Sequence, residues 1–183
     1  MTSPYQTALD ELARVFARID VVAVERALEA IADARRIALY GVGREGLQVK
    51  GLAMRLFHLG LQVAVVGDMT TPPVGPGDLL VVSAGPGGFS TIEALLGVAH
   101  RDGARTLVVS AQPEGSCARA AELVLPVPAQ TMADDRGPAS SILPMGSLYE
   151  GALFVLFEVL VLRLRDRLGA SPASMRARHT NLE

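Results

Sequence analysis

The sequence predicts an α/β protein with a doubly wound, parallel sheet of five strands, helices on both faces and a long helix near its end. Three observations lead to this prediction. Short apolar runs alternate with segments of helical spacing, glycines follow the first and third of these runs, and a long apolar stretch comes last. Such alternation is typical of a parallel sheet, because each crossover helix returns the chain to the same edge.

The chain opens with helical segments. In residues 4–33 apolar side chains recur three or four positions apart, and the pattern breaks near Asp20. This spacing places the apolar side chains on one face of a helix. Two helices, or one bent helix, are expected here.

Five short apolar runs predict the strands, and the segments between them predict helices. The strands span residues 36–41, 62–66, 78–83, 105–110 and 123–127, and the helices span residues 48–59, 90–101 and 116–121. No linker long enough to separate two folding units divides the chain. We therefore expect one domain over residues 1–183, with its α/β core at about 36–128 and a C-terminal helix and tail at about 146–183.

The last long segment, residues 146–168, is apolar nearly all round. Its longest apolar run, at about residues 148–162, is interrupted by Glu150 and Glu158 and is too short for a membrane span of ~20 apolar residues. A helix of this kind must be covered on several sides. We expect the same helix of another subunit to cover part of it, in a homo-oligomer that is a dimer or a tetramer.

The composition excludes some classes of binding partner and indicates the cellular compartment. The chain has 17 basic and 19 acidic residues and a formal net charge of −2, so no overall field attracts nucleic acid or a membrane. Cys117 is the sole cysteine, which excludes an internal disulfide, and residues 1–10 lack the apolar core of a signal peptide. We expect a cytoplasmic protein that binds a small molecule.

Two glycine-rich turns follow predicted strands. Residues 41–46 are Gly-Val-Gly-Arg-Glu-Gly, and residues 83–88 are Ser-Ala-Gly-Pro-Gly-Gly. In an open α/β sheet such turns meet beyond the strand ends, where their N–H groups can bind an anion. Each turn alone equally fits a chain that simply enters a helix. The dinucleotide fingerprint is matched only approximately and the P-loop lysine is absent, so no cofactor is expected.

Four segments, spread over nearly the whole chain, share a pattern with one known family. They are residues 41–44 (Gly-Val-Gly-Arg), 54–60 (Met-Arg-Leu-Phe-His-Leu-Gly), 144–150 (Pro-Met-Gly-Ser-Leu-Tyr-Glu) and 176–183 (Arg-Ala-Arg-His-Thr-Asn-Leu-Glu). They resemble the sugar isomerase (SIS) domain family, and within it the 6-phospho-3-hexuloisomerases. The resemblance implies a flavodoxin-like sheet, an oligomer, no metal ion, and interconversion of a 3-hexulose 6-phosphate with fructose 6-phosphate.

The resemblance also implies catalytic residues. Moving a carbonyl from C3 to C2 needs a base for the C2 proton and an acid. Glu150 occupies the family's glutamate position and is the expected base, with a pKa raised by partial burial. His179 matches the family's C-terminal histidine and is the expected acid or oxyanion partner, within reach of a neighbouring subunit's site. The alternatives are a glutamate that stabilises a helix N-terminus and a solvent-exposed tail histidine.

The expected substrate is a sugar or sugar phosphate, and its binding residues come mainly from the two turns. Arg44 could neutralise a phosphate or orient the enediol oxygens. His58 also matches the family, although a structural or interface histidine fits its helical position equally well. The other candidates are glycines and hydroxyl residues at the two turns: Gly43, Ser83, Gly85, Gly87, Ser90 and Thr91.

The second turn departs from the family pattern. The family's Ser-Gly-Ser-Gly-Glu-Thr aligns with residues 84–89, and three hydroxyl positions are lost. The family's serine after the arginine is Glu45 here, and Leu143 replaces a frequent glutamine. A carboxylate ~4 Å from a phosphate costs several kcal/mol unless it turns away or pairs with Arg44.

Three functions therefore stay open. The chain is an isomerase of a phosphorylated sugar, an isomerase of an unphosphorylated sugar or sugar acid, or a non-catalytic carbohydrate-binding or regulatory protein. A glutamate that points into the second turn favours the second of these.

Overall fold

A computed structural model describes residues 3–137 and 141–182. The first elements of this structure are two separate helices. Helix α1 spans Pro4–Phe16 and helix α2 spans Val21–Asp33. The Asp20 carboxylate caps α2 by accepting hydrogen bonds from its second and third N–H groups, at 2.8 and 3.2 Å. A capping aspartate satisfies backbone donors that a helix leaves free. The predicted break near Asp20 is thus the start of a second helix.

The sheet has five parallel strands, as predicted. They are β1 (Ile37–Gly41), β2 (Val63–Val65), β3 (Leu79–Ser83), β4 (Arg105–Ser110) and β5 (Leu123–Pro126). Their order is β2-β1-β3-β4-β5, which is the flavodoxin-like order. The order reverses between β1 and β3, where Gly41 lies opposite Ser83. Both glycine-rich turns therefore begin side by side.

Helices cover both faces of the sheet. The crossover helices are α3 (Gly43–Leu59), α4 (Ser90–Arg101) and the short α5 (Ser116–Arg119). One apolar core joins the sheet to α1, α2, α3 and the C-terminal helix, and a second joins the opposite face to α4 and α5. Alternate residues of each strand enter different cores, because strand side chains point to opposite faces.

Helix α6 (Ser147–Arg167) is the long apolar helix that the sequence predicted. It buries nine residues in the main core but leaves the large side chains Phe154 and Leu162 59% and 49% exposed. A short helix α7 (Pro172–Ala177), capped by Ser171, follows it and was not predicted. Within residues 3–137 and 141–182, none of the helices is long and apolar enough to cross a membrane.

Candidate active site

The first glycine turn brings the start of α3 close to β1. A methyl group on Gly46 would lie 2.5 Å from the Gly41 carbonyl oxygen, and Gly43 has a φ of +57°. Neither position accommodates a larger residue without strain. The helix begins at Gly43, and its first turn places Glu45 beside Ser83 of β3 and Arg44 beside the start of α6.

The second glycine turn packs against the loop after β4. Gly87 has a φ of +93°, and a Cβ there would lie 2.7 Å from the side chain of Gln112. The Gly87 N–H donates to the Ala84 carbonyl at 2.9 Å, within the turn itself. Packing thus explains Gly87, although it was a candidate binding residue.

Glu45 occupies the space between the two turns. Its Oε2 accepts hydrogen bonds from the Ser83 hydroxyl at 2.6 Å and from the Gly85 N–H at 2.9 Å. The residue is only 6% exposed. Burial raises the pKa of Glu45, while these two hydrogen bonds oppose the rise. Two expected substrate donors, Ser83 and Gly85, are therefore bound to a side chain of the protein.

Tyr149 extends this network. Its hydroxyl lies 3.2 Å from the Ser83 hydroxyl and donates to the Val109 carbonyl at 3.0 Å. Burial, followed by the charge of Glu45, holds the pKa of Tyr149 well above its usual value, so the side chain keeps its proton. Sequence reasoning missed Tyr149. The available signal was a tyrosine directly before the candidate base Glu150.

Glu150 and Arg44 meet at the start of α6. The Arg44 guanidinium lies 3.3 Å from Glu150 Oε2, and it donates to the Ser147 hydroxyl at 2.7 Å and to the Met145 carbonyl. Glu150 Oε2 is buried and accepts no hydrogen bond of good geometry. Burial raises the pKa of Glu150, with Arg44 opposing and the charge of Glu45 adding to the rise. Such a carboxylate is an effective proton acceptor.

The backbone of the turn before α6 is strained, and its conformation helps to position Arg44 and Glu150. Met145 has a φ of +56°, which is unusual for a residue with a side chain, and Gly146 follows with a φ of +76°. A Cβ on Gly146 would lie 2.6 Å from the Met132 backbone nitrogen. This conformation points the Met145 carbonyl at Arg44 and starts α6 with Glu150 in its first turn.

Glu45, Tyr149, Glu150 and Arg44 line one cavity of about 300 Å³. Its wall includes the polar side chains of Arg44, Glu45 and Glu150, together with Phe89 and Thr131 from flanking loops. This volume lies at the lower end of small-molecule sites. Ser90 and Thr91 are exposed in the first turn of α4, next to Phe89. Neither residue lines the cavity, although Phe89, which precedes them, does.

His58 and His179 lie outside this cavity. Their rings stack with centroids 5.2 Å apart, and Arg178 donates to the His58 carbonyl at 3.1 Å. Fourteen residues of α3 separate His58 from Arg44, which is about 21 Å along a helix axis. The two histidines line a second cavity of about 390 Å³ that shares no residue with the first. One chain alone does not bring His179 to Glu150.

The described part of the chain contains no cluster of three or more His, Cys, Asp or Glu side chains placed to hold a metal ion. The polar side chains of the first cavity include two carboxylates, a guanidinium, a tyrosine hydroxyl and a threonine hydroxyl. These groups can bind a polar ligand and move protons.

The fold and the cavity define an α/β protein with a polar small-molecule site at the switch point of its sheet. The SIS domain model matches residues 30–155, and the chain therefore belongs to the SIS domain family. It is 30% identical over 175 residues to the 3-hexulose-6-phosphate isomerase of Bacillus subtilis, covering 96% of this chain and 95% of the relative.

Two further relatives support this placement. The 3-hexulose-6-phosphate isomerase of Mycobacterium gastri is 35% identical, over 100% of this chain and 92% of its own. A crystal structure from Methanococcus jannaschii, whose inferred function is 3-hexulose-6-phosphate isomerase, has a TM-score of 0.83 and is 25% identical. The alignment covers 96% of this chain and 98% of that one.

Proposed function

We propose that this protein is a sugar-phosphate isomerase that moves a carbonyl between C3 and C2 of a keto-hexose 6-phosphate through an enediol. The observation that carries the proposal is Glu150, a partly buried carboxylate that lines the switch-point cavity and whose buried Oε2 accepts no hydrogen bond. The names of the relatives from Bacillus subtilis and Mycobacterium gastri support the same reaction.

Glu150 is the base of this reaction. It removes the proton from C2 and returns it to C3 after the enediol has formed. Its raised pKa makes this carboxylate a stronger proton acceptor than an exposed glutamate. Arg44, 3.3 Å away, keeps the carboxylate ionised before the substrate binds and can then orient the enediol oxygens.

The phosphate is bound at the start of α4. Ser90 and Thr91 offer hydroxyl groups there, and the free N–H groups in the first turn of the helix can donate to an anion. Ser83 and Gly85 contribute indirectly, because both hold Glu45. Gly43 and Gly87 shape the two turns.

His179 acts in the cavity of a neighbouring subunit as an oxyanion partner. The proposal includes a homo-oligomer, supported by exposed apolar side chains on the packed helices α3 and α6. An ion pair of 3.1 Å between Arg55 and Glu158 links these helices beside those side chains. The exposed apolar residues include Met54, Phe57, Phe154, Val159 and Leu162. We also propose a cytoplasmic location, since the single cysteine excludes the internal disulfides that are typical of oxidising compartments.

One observation favours a second candidate, the same isomerisation of an unphosphorylated sugar. Glu45 points into the second turn and takes the donors Ser83 and Gly85, so these groups are not available to a phosphate. An ionised Glu45 would also repel a phosphate at the turn.

A panel of keto sugars, each tested with and without a 6-phosphate, distinguishes the two candidates. Turnover of the phosphorylated members alone is expected. Turnover of unphosphorylated members alone favours the second candidate, and absence of turnover for every member contradicts both.

A further inference from the structure

Glu45 and Glu150 share the switch-point cavity, and we propose that they divide the proton transfers of the isomerisation between them. Glu45 is the acid that exchanges a proton with the two substrate oxygens, while Glu150 moves the proton between the two carbons. This inference rests on the proposed function. It assigns the acid to a residue of the same chain, whereas His179 lies at the other end of α3.

The hydrogen bonds around Glu45 leave one of its carboxyl oxygens for a substrate. Oε2 accepts from the Ser83 hydroxyl at 2.6 Å and from the Gly85 N–H at 2.9 Å. Oε1 takes part in neither bond, so a proton on Oε1 can be donated to a ligand in the cavity that Glu45 lines.

The surroundings of the two carboxyl groups differ in the way that an acid and a base require. The titratable and charged groups around Glu45 are Arg44 on α3, Tyr149 and Glu150 on α6, and Cys117 on α5. Arg44 directs its guanidinium to Glu150, at 3.3 Å, and forms no ion pair with Glu45. Glu150 is therefore favoured as the carboxylate and Glu45 as the carboxylic acid.

The proton balance of the reaction closes with these two groups. Glu150 removes the C2 proton while Glu45 donates its proton to the carbonyl oxygen on C3, which gives the neutral enediol. The hydroxyl on C2 then returns a proton to Glu45 as the C2 carbonyl forms, and Glu150 delivers its proton to C3. Both residues end in their starting states, and no co-reactant is consumed.

A protonated Glu45 also removes the main objection to a phosphorylated substrate. A neutral carboxyl does not repel a phosphate at the start of α4, whereas a carboxylate at that turn would. The residue that departs from the family pattern is thus compatible with a sugar phosphate.

Glu45→Gln tests this role, because glutamine has the same shape and keeps an oxygen for the Gly85 N–H but cannot donate an acidic proton. We expect kcat to fall about 10²–10⁴-fold, the range for a lost general acid, with little change in KM or in the melting temperature. The pH profile of kcat should lose its descending limb and keep the ascending limb of Glu150. Glu122→Gln, a surface carboxylate paired with Arg105, is the control and should match the wild type.

The outcomes separate this inference from the proposed function. Wild-type protein that turns over no sugar phosphate overturns the proposed function, and this inference with it. Wild-type turnover that Glu45→Gln retains at full rate, with the descending limb intact, overturns only the role of Glu45.

A measurement on the wild type decides the matter if the variant does not fold. Carbon-13 NMR of glutamate side chains should find the Glu45 carboxyl protonated at a pH where exposed glutamates are ionised. A Glu45 carboxyl that is ionised throughout the pH range of turnover contradicts the proposal.

Discussion

The two ends of helix α3 carry different kinds of site. Its N-terminal end holds Arg44 and Glu45 beside Glu150, and hydrogen bonds within the chain fix these side chains. Its C-terminal end holds His58, stacked on His179 from the tail, next to exposed apolar residues. These groups of the first site all come from one chain, whereas we propose that a second copy covers the surface of the second. The proposed enzyme needs both ends, from different subunits.

The largest effect should follow from a change at the N-terminal end. Glu150→Gln removes the base, and we expect kcat to fall about 10⁴-fold, the upper end for one proton-transfer group. Binding of the sugar phosphate, measured by calorimetry, should change little. Activity near the wild-type level would remove Glu150 as the base.

A smaller loss should follow from a change at the C-terminal end. His179→Ala should lower kcat about 10²-fold, since it removes one stabilising group from the neighbouring site. Mixing this variant with Glu150→Gln under conditions that exchange subunits tests the arrangement. Each site would take Glu150 from one subunit and His179 from another. Random exchange of equal amounts of the two variants should therefore leave about a quarter of the sites with both residues intact. If mixing restores no activity, His179 does not act across subunits.

The apolar surface of α6 should determine the oligomeric state. Phe154 is 59% exposed, and Phe154→Arg should shift the protein to a smaller species in sedimentation, because a charge replaces a large apolar side chain. Tyr5, 84% exposed on α1, gives the control variant Tyr5→Arg, which should sediment like the wild type. Identical sedimentation of both variants and the wild type would exclude this surface as the interface.

The smallest effect should follow from a change in the first glycine-rich turn, and it concerns stability. Gly46→Ala should lower the free energy of unfolding by about 1–3 kcal/mol, because the new methyl group overlaps the Gly41 carbonyl. Gly97→Ala on α4 is the matched control, since a Cβ there meets no atom within 4 Å. It should raise the free energy of unfolding by about 0.5–1 kcal/mol. Equal effects in denaturant titrations would contradict the close packing at Gly46.

The sheet was predictable from the sequence, but the position of Glu45 was not. Apolar runs identify all five strands, since buried parallel strands are nearly continuous in apolar residues. The spacing placed the start of α3 at residue 48, whereas the helix begins at Gly43. The sequence therefore placed Glu45 in a turn, where its carboxylate could either point away from a bound phosphate or pair with Arg44. In the first helical turn it faces Ser83 instead.

Glu150 and Arg44 illustrate what a family motif supplies. Both were predicted as site residues from their motifs, and the structure brings them within 3.3 Å of each other. The network through Tyr149 depends on which face of α6 meets β4, and helical spacing could not give this, because α6 is apolar nearly all round. The separation of His179 from Glu150 depends on the path of the tail, which includes the unpredicted helix α7.

Exchange of hydrogen at C3 of fructose 6-phosphate tests the central claim most directly. In D₂O the wild-type protein should place deuterium at C3, because a proton held by Glu150 in the enediol complex exchanges with solvent. Glu150→Gln should give no exchange, and Glu122→Gln should exchange like the wild type. Absence of deuterium at C3 with the wild type, or equal exchange with Glu150→Gln, would contradict an isomerase that uses Glu150 as its base.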